Sequence, residues 1–191
     1  DVKYFESLPV GVTRNTAVDA LTHLIEAYLC SENGFLSDAI AEKGMEIFKD
    51  CKYPLLKGEF NTETREKLLL ASTLGGMAIA QSQTSLPHAM GYYLTFFKEL
   101  PHGAANAQFT KAYMDFVPEQ DRVEKILSLL GFESTADLDG FLEKLTKRVH
   151  FTESEINYYT DEMMQIKGKL ATVTKEITRQ DMYNMFKDSN K

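Results

Sequence analysis

The sequence predicts an all-α protein, a multi-helix, bundle-like domain. Three observations carry that expectation. Apolar residues recur at helical spacing over most of the 191 residues. Ser, Thr or Asn stands at the head of successive apolar-periodic segments, where a side-chain oxygen can accept from the free N–H groups of a first turn. No period-two alternation of useful length is present, so strands are not expected.

The elements follow in chain order. "NTAVDALTHLIEAYLC" places Ala17, Leu21, Leu24, Ile25 and Tyr28 on one helical face, with Asn15 or Thr16 as its expected N-cap. "SDAIAEKGMEIFKDC" repeats Ile40, Met45, Ile47 and Phe48 behind Ser37 as the expected cap. "NTETREKLLLASTLGGMAIAQSQT" opens near Thr62 and becomes apolar on nearly every side, which predicts a central, buried helix. Gly75-Gly76 costs that helix about 1 kcal/mol per glycine, a cost that a close backbone approach by a neighbour would explain.

Pro87 suits the first turn of a helix continuing through "HAMGYYLTFF", and Pro101 precedes another, "AANAQFTKAYMDF". Beyond residue 117, "EQDRVEKILSLLGF", "STADLDGFLEKLTKRV" and "TESEINYYTDEMMQ" read as short helices, the first stopped by Gly131. "ITRQDMYNMFKDS" closes the series, with Thr178 and Asp181 forming a capping box in which Asp replaces Glu. The whole chain reads as one helical domain, with a sub-division expected between residues 1–117 and 118–191.

Composition narrows the function. A net charge of −7 with scattered Lys and Arg argues against a nucleic-acid surface. No apolar run approaches the roughly 18 residues of a membrane span. Cys30 and Cys51 are too few and too far apart for a thiolate metal knot, and read as reduced thiols of a cytoplasmic protein. The opening "DVKYFESLPVGVT" lacks Met, so the chain is expected to be part of a longer protein.

The chemistry-bearing residues are few. Asp19 and His23 stand four apart on one helix, so their side chains project from one face one turn apart. They can chelate a cation or share a plain hydrogen bond. Only four histidines exist, and two, His88 and His102, each follow a proline in "LPHAMGYYLTFFKELPHG". A helix out and a turn back can return His102 to the level of His88. Asp19, His23, His88 and His102 then offer one carboxylate and three imidazoles, a set that suits Fe²⁺ or Zn²⁺ better than Ca²⁺ or Mg²⁺. The alternative is that these histidines are satisfied core residues. His150, in a charged stretch, reads as a surface residue.

Taken together, "DALTH…EAY", "GGMA" and "LPHAMGYYL…LPHGAANA" resemble the C-terminal helical domain of the iron-containing (group III) alcohol dehydrogenases, from about residue 9 to residue 117. The resemblance implies that Asp19, His23, His88 and His102 are the metal ligands. It implies a two-domain enzyme in which an N-terminal domain of the same protein binds NAD or NADP across a cleft. This chain has no Gly-rich phosphate loop and no βαβ pattern, so the nucleotide-binding domain is expected to lie outside it. The implied activity is hydride transfer between a small alcohol and its aldehyde or ketone, by a protein that forms dimers or larger assemblies.

Many family members carry another histidine at the position of Tyr92, which makes Tyr92 a candidate catalytic residue, for proton relay or packing on the nicotinamide. Gln83, Thr84 and Ser85 are candidates to line the substrate or cofactor cleft. Three rival functions remain at this point: a metal-dependent hydrolase on a helical scaffold, a lyase or synthase of the same superfamily, and a non-catalytic helical interaction domain. The helical phosphohydrolases use an adjacent His-Asp pair, which is absent here. The synthases use many Lys and Arg, of which only Lys98 and Lys111 lie near the expected ligands.

Overall fold

A computed structural model describes residues 1–190, and among them all regular structure is helical. A short 3₁₀ turn, Val2–Phe5, precedes eleven helices: α1 Val10–Leu29, α2 Phe35–Lys49, α3 Lys52–Lys57, α4 Thr62–Gln81, α5 Leu86–Phe97, α6 His102–Phe116, α7 Gln120–Leu130, α8 Thr135–Leu145, α9 Glu153–Met163, α10 Lys167–Leu170 and α11 Arg179–Asp188. α1 is the organising element and packs against α2, α4, α6, α7 and α8. Its second half is almost entirely buried, from Leu24 through Leu29. One core cluster runs from Ala17 to Phe186 and so draws on both sides of residue 117. No helix among the described residues is long and apolar enough to cross a membrane.

The helix starts refine the sequence reading. α1 begins at Val10 behind Pro9, one turn and more before Asn15 and Thr16. Those two side chains instead bond back to the Gly11 and Val12 carbonyls, one turn earlier in the helix. α2 starts at Phe35, and Ser37 closes its cap from inside the first turn by accepting the Gly34 N–H. α4 opens at Thr62, as expected, with Asn61 as its cap. At α11, Thr178 and Asp181 make both bonds of the expected capping box. Gly131 ends α7 in the left-handed conformation, φ 68°.

α4 is not the fully buried helix that its composition suggests. Leu70 and Met77, seven residues apart on one face, are each 49% exposed. The opposite face is tightly seated. Gly75 lies against α1 so closely that a Cβ there would stand 3.1 Å from the Ala20 carbonyl oxygen and 3.3 Å from His23 Cβ. Gly76 faces open space, so close approach accounts for one glycine of the pair. Cys30 and Cys51 are free and buried, and burial pushes both thiols up, Cys51 to about 11.

Candidate metal centre

α1, α5 and α6 meet where their histidines converge. Two glycines permit that approach. A Cβ on Gly103 would lie 2.0 Å from the Asn15 carbonyl oxygen of α1, and one on Gly91 would lie 2.1 Å from Asn106 Oδ1. Without side chains at these positions, the first turn of α6 rests on α1 and α5 rests on α6. α5 is also bracketed by two non-glycine residues in the left-handed region, Gln83 (φ 116°) and Glu99 (φ 53°), which turn the chain sharply at both ends. The turn at Glu99 returns His102 to His88, with ring centroids 5.2 Å apart.

One ligand atom from each of Asp19, His23 and His88 lies within 4.8 Å of the others. The His23 and His88 rings stack at 4.5 Å. Asp19 Oδ1 stands 3.5 Å from His88 Nε2 and 3.8 Å from His102 Nε2, so His102 adds a fourth donor beside this trio. His88 is 2% exposed, and its Nε2 is buried with no hydrogen-bond partner. A buried polar atom without a partner is costly. Here it points toward the other donors, so one carboxylate and three imidazoles fit a divalent transition ion.

The electrostatics follow from this crowding. Burial opposes charge on His88, but the Glu26 and Asp19 carboxylates outweigh it and push the pKa up to about 9. Burial, then the charge of His88, holds His23 below the ordinary histidine value. Burial also lowers His102, against the pull of Asp19. Asp19 itself is raised by burial, but the imidazoles, His88 foremost, bring it below the usual carboxylate range.

The profile of the Fe-containing alcohol dehydrogenase family, C-terminal region, matches residues 13–189. The chain belongs to the iron-containing alcohol dehydrogenase family. Among its relatives, a 1-propanol dehydrogenase of Citrobacter freundii is 38% identical over 120 residues, 62% of this chain and 32% of that protein. An NADPH-dependent butanol dehydrogenase of Clostridium saccharobutylicum is 25% identical over 182 residues, 91% of this chain and 46% of that protein. The crystal structure of the Thermotoga maritima iron-containing alcohol dehydrogenase superposes on all of this chain with a TM-score of 0.89 and 30% identity. This chain covers 52% of that structure, about half of its length.

Within this family domain, Tyr92 stacks on His102 at 5.6 Å, one turn from His88, and is 57% exposed. Gln83, Thr84 and Ser85 lie on the approach to α5. Gln83 is exposed and donates to Glu32, Thr84 accepts from Lys169 at both its carbonyl and its hydroxyl, and Ser85 is fully buried against Thr172. None of the three lines the groove that reaches Asp19 and His102. His150 is exposed, as its charged surroundings predict.

Two residues escaped the sequence reading. Glu26, 1% exposed, stands 2.5 Å from His88 Nδ1 through Oε1. Asn106, fully buried, donates to Asp19 Oδ1 at 2.9 Å and stands 3.1 Å from His102 Nε2. Helical spacing carried a signal for both. Glu26 is seven residues after Asp19 and Asn106 four after His102, each on the face of a candidate ligand.

Proposed function

We propose that Asp19, His23, His88 and His102 hold one divalent transition ion, Fe²⁺ or Zn²⁺. We further propose that the full-length protein transfers hydride between a small alcohol and its aldehyde or ketone. The observation that carries this reading is the convergence of three donors within 4.8 Å, with His102 beside them. When bound, such an ion supplies Lewis-acid stabilisation to the substrate oxygen. The hydride itself is carried by NAD or NADP, held by the N-terminal domain of the same protein.

The chain's own residues supply position and polarity. Asp19 is the one formally charged ligand, and Asn106 holds it by donating to Oδ1. A groove of about 500 Å³ between the starts of α1 and α6 is lined by Pro9, Val12, Thr16 and Pro101 together with Asp19 and His102. Neither Lys nor Arg lines it, which suits a short neutral alcohol better than the anionic substrates of the synthases. Tyr92, stacked on His102 and open to solvent, is placed to relay a proton by its hydroxyl or to pack on the nicotinamide ring. We place the protein in the cytoplasm, where the free Cys30 and Cys51 stay reduced.

The test is NAD(P)H absorbance on the full-length protein with 1-propanol and 1-butanol, before and after chelation. Turnover lost on chelation, regained with about one Fe²⁺ or Zn²⁺ per chain, and missing from a His88→Ala, His102→Ala variant supports the reading. Undiminished turnover in that double variant overturns it.

A further inference from the structure

We infer that Glu26 is a positioning residue of the metal centre. It fixes the ring of His88 so that Nδ1 carries the proton and Nε2 faces Asp19, His23 and His102. The inference rests on the proposed reading of those four side chains as ligands.

The hydrogen bonds of Glu26 serve this geometry. Oε1 takes the Nδ1 side of the His88 ring at 2.5 Å. Oε2 accepts the backbone N–H of Ser85 at 2.7 Å and that of His88 at 3.4 Å. One carboxylate therefore grips both the ring and the first turn of the helix that carries it. That first turn has no side-chain cap of its own, and Pro87 offers no N–H, so Glu26 supplies the anchoring from α1. Behind it, Ser85 Oγ shares a 2.7 Å hydrogen bond with Thr172 Oγ1, and Lys169 holds Thr84, so the approach to α5 is fixed from the far side.

The chemistry requires an acceptor at this place. A neutral imidazole has one N–H and one lone pair, and a carboxylate beside Nδ1 selects the tautomer whose lone pair is on Nε2. Nε2 is the buried atom without a partner, 3.5 Å from Asp19 Oδ1. A carboxylate behind a ligating histidine also raises the basicity of the ring and limits its rotation. A residue serving only to pack α1 against α5 would need neither the charge nor the bond to Nδ1.

The test uses the full-length protein, stripped of metal and titrated with Co²⁺ under competition, comparing wild type, Glu26→Gln and His88→Ala. In parallel, ¹¹³Cd-loaded, ¹⁵N-labelled wild type reports which nitrogen of His88 couples to the metal. The expected results are Co²⁺ affinity weakened about 10–100-fold in Glu26→Gln, the His88→Ala site lost, and cadmium coupling through Nε2 with Nδ1 protonated. Wild-type affinity in Glu26→Gln with His88→Ala still defective overturns the inference and leaves the metal reading standing. Coupling through Nδ1 overturns it also. Wild-type affinity in His88→Ala overturns the metal reading, and this inference with it. If Glu26→Gln fails to fold, the cadmium measurement on wild type decides alone.

Discussion

The side-chain amide of Asn106 donates to Asp19 Oδ1 at 2.9 Å, joining α6 to α1 at the point where Asp19 and His102 meet. The same amide nitrogen is 3.1 Å from His102 Nε2, so one residue touches a proposed ligand on each helix. Replacing it tests whether the ligand cluster depends on its supports.

Asn106→Ala removes the donor to a partly buried carboxylate and leaves a gap beside Gly91. It is expected to cost about 1–3 kcal/mol of stability and to weaken metal binding through Asp19. Urea unfolding of the metal-free protein reads the first effect, and Co²⁺ titration reads the second. Unchanged values in both would show that Asp19 holds its position unaided.

Gly103→Ala sets a Cβ 2.0 Å from the Asn15 carbonyl oxygen, and the helical backbone cannot yield without parting α6 from α1. The expected loss is about 3 kcal/mol or more. Gly76→Ala is the contrast, because nothing lies within 4 Å of its added methyl group. It is expected to raise stability by about 0.5–1 kcal/mol. Melting temperatures of the two variants should move in opposite directions.

Above about pH 6.5, where His23 and His102, held below the ordinary value, are already mostly neutral, the metal-free protein should lose stability as pH rises. His88 has a folded-state pKa raised to about 9, above the ordinary value of 6.5. Its contribution is therefore fully present below about pH 6.5 and is lost as pH climbs through about 9. Chelator-treated protein should melt several degrees lower at about pH 9.5 than at about pH 6.5, and His88→Gln should flatten that slope. An equal slope in the variant would assign the loss to other groups.

Tyr92→Phe keeps the ring stacked on His102 and removes only the hydroxyl. If the hydroxyl relays a proton in the proposed reaction, the pH–rate profile of the full-length protein shifts on its basic limb, with KM for the proposed alcohol substrate little changed. An unchanged profile leaves Tyr92 a packing role, and Tyr92→Ala should then raise KM without moving the profile.

Most of the helices were legible because their signals are local. Thr178 with Asp181, and Gly131 after Leu130, act within one turn of themselves, and the structure uses both as read. The errors at helix starts have a local cause too. Asn15 and Thr16 suit an N-cap, but the same oxygens and amides can bond back to a carbonyl one turn earlier. Only the surrounding backbone decides between those uses. The exposed face of α4 was hidden for a different reason. Apolarity marks Leu70 and Met77 as residues to be covered, without saying whether this chain supplies the cover.

The sequence by itself determined the helical class, since caps and helical periodicity are properties of short segments, and its motifs carried the family resemblance and named Asp19, His23, His88 and His102 as the candidate ligands. Only the tertiary structure decided that Glu26 stands behind His88, that Asn106 bridges Asp19 and His102, and that Ser85 is buried away from the groove. The Glu26–His88 and Asn106–Asp19 contacts join residues on different helices. Their partners are chosen by how closely α1, α5 and α6 can pack, and that distance is set by Gly91 and Gly103, where a single Cβ would push the helices apart.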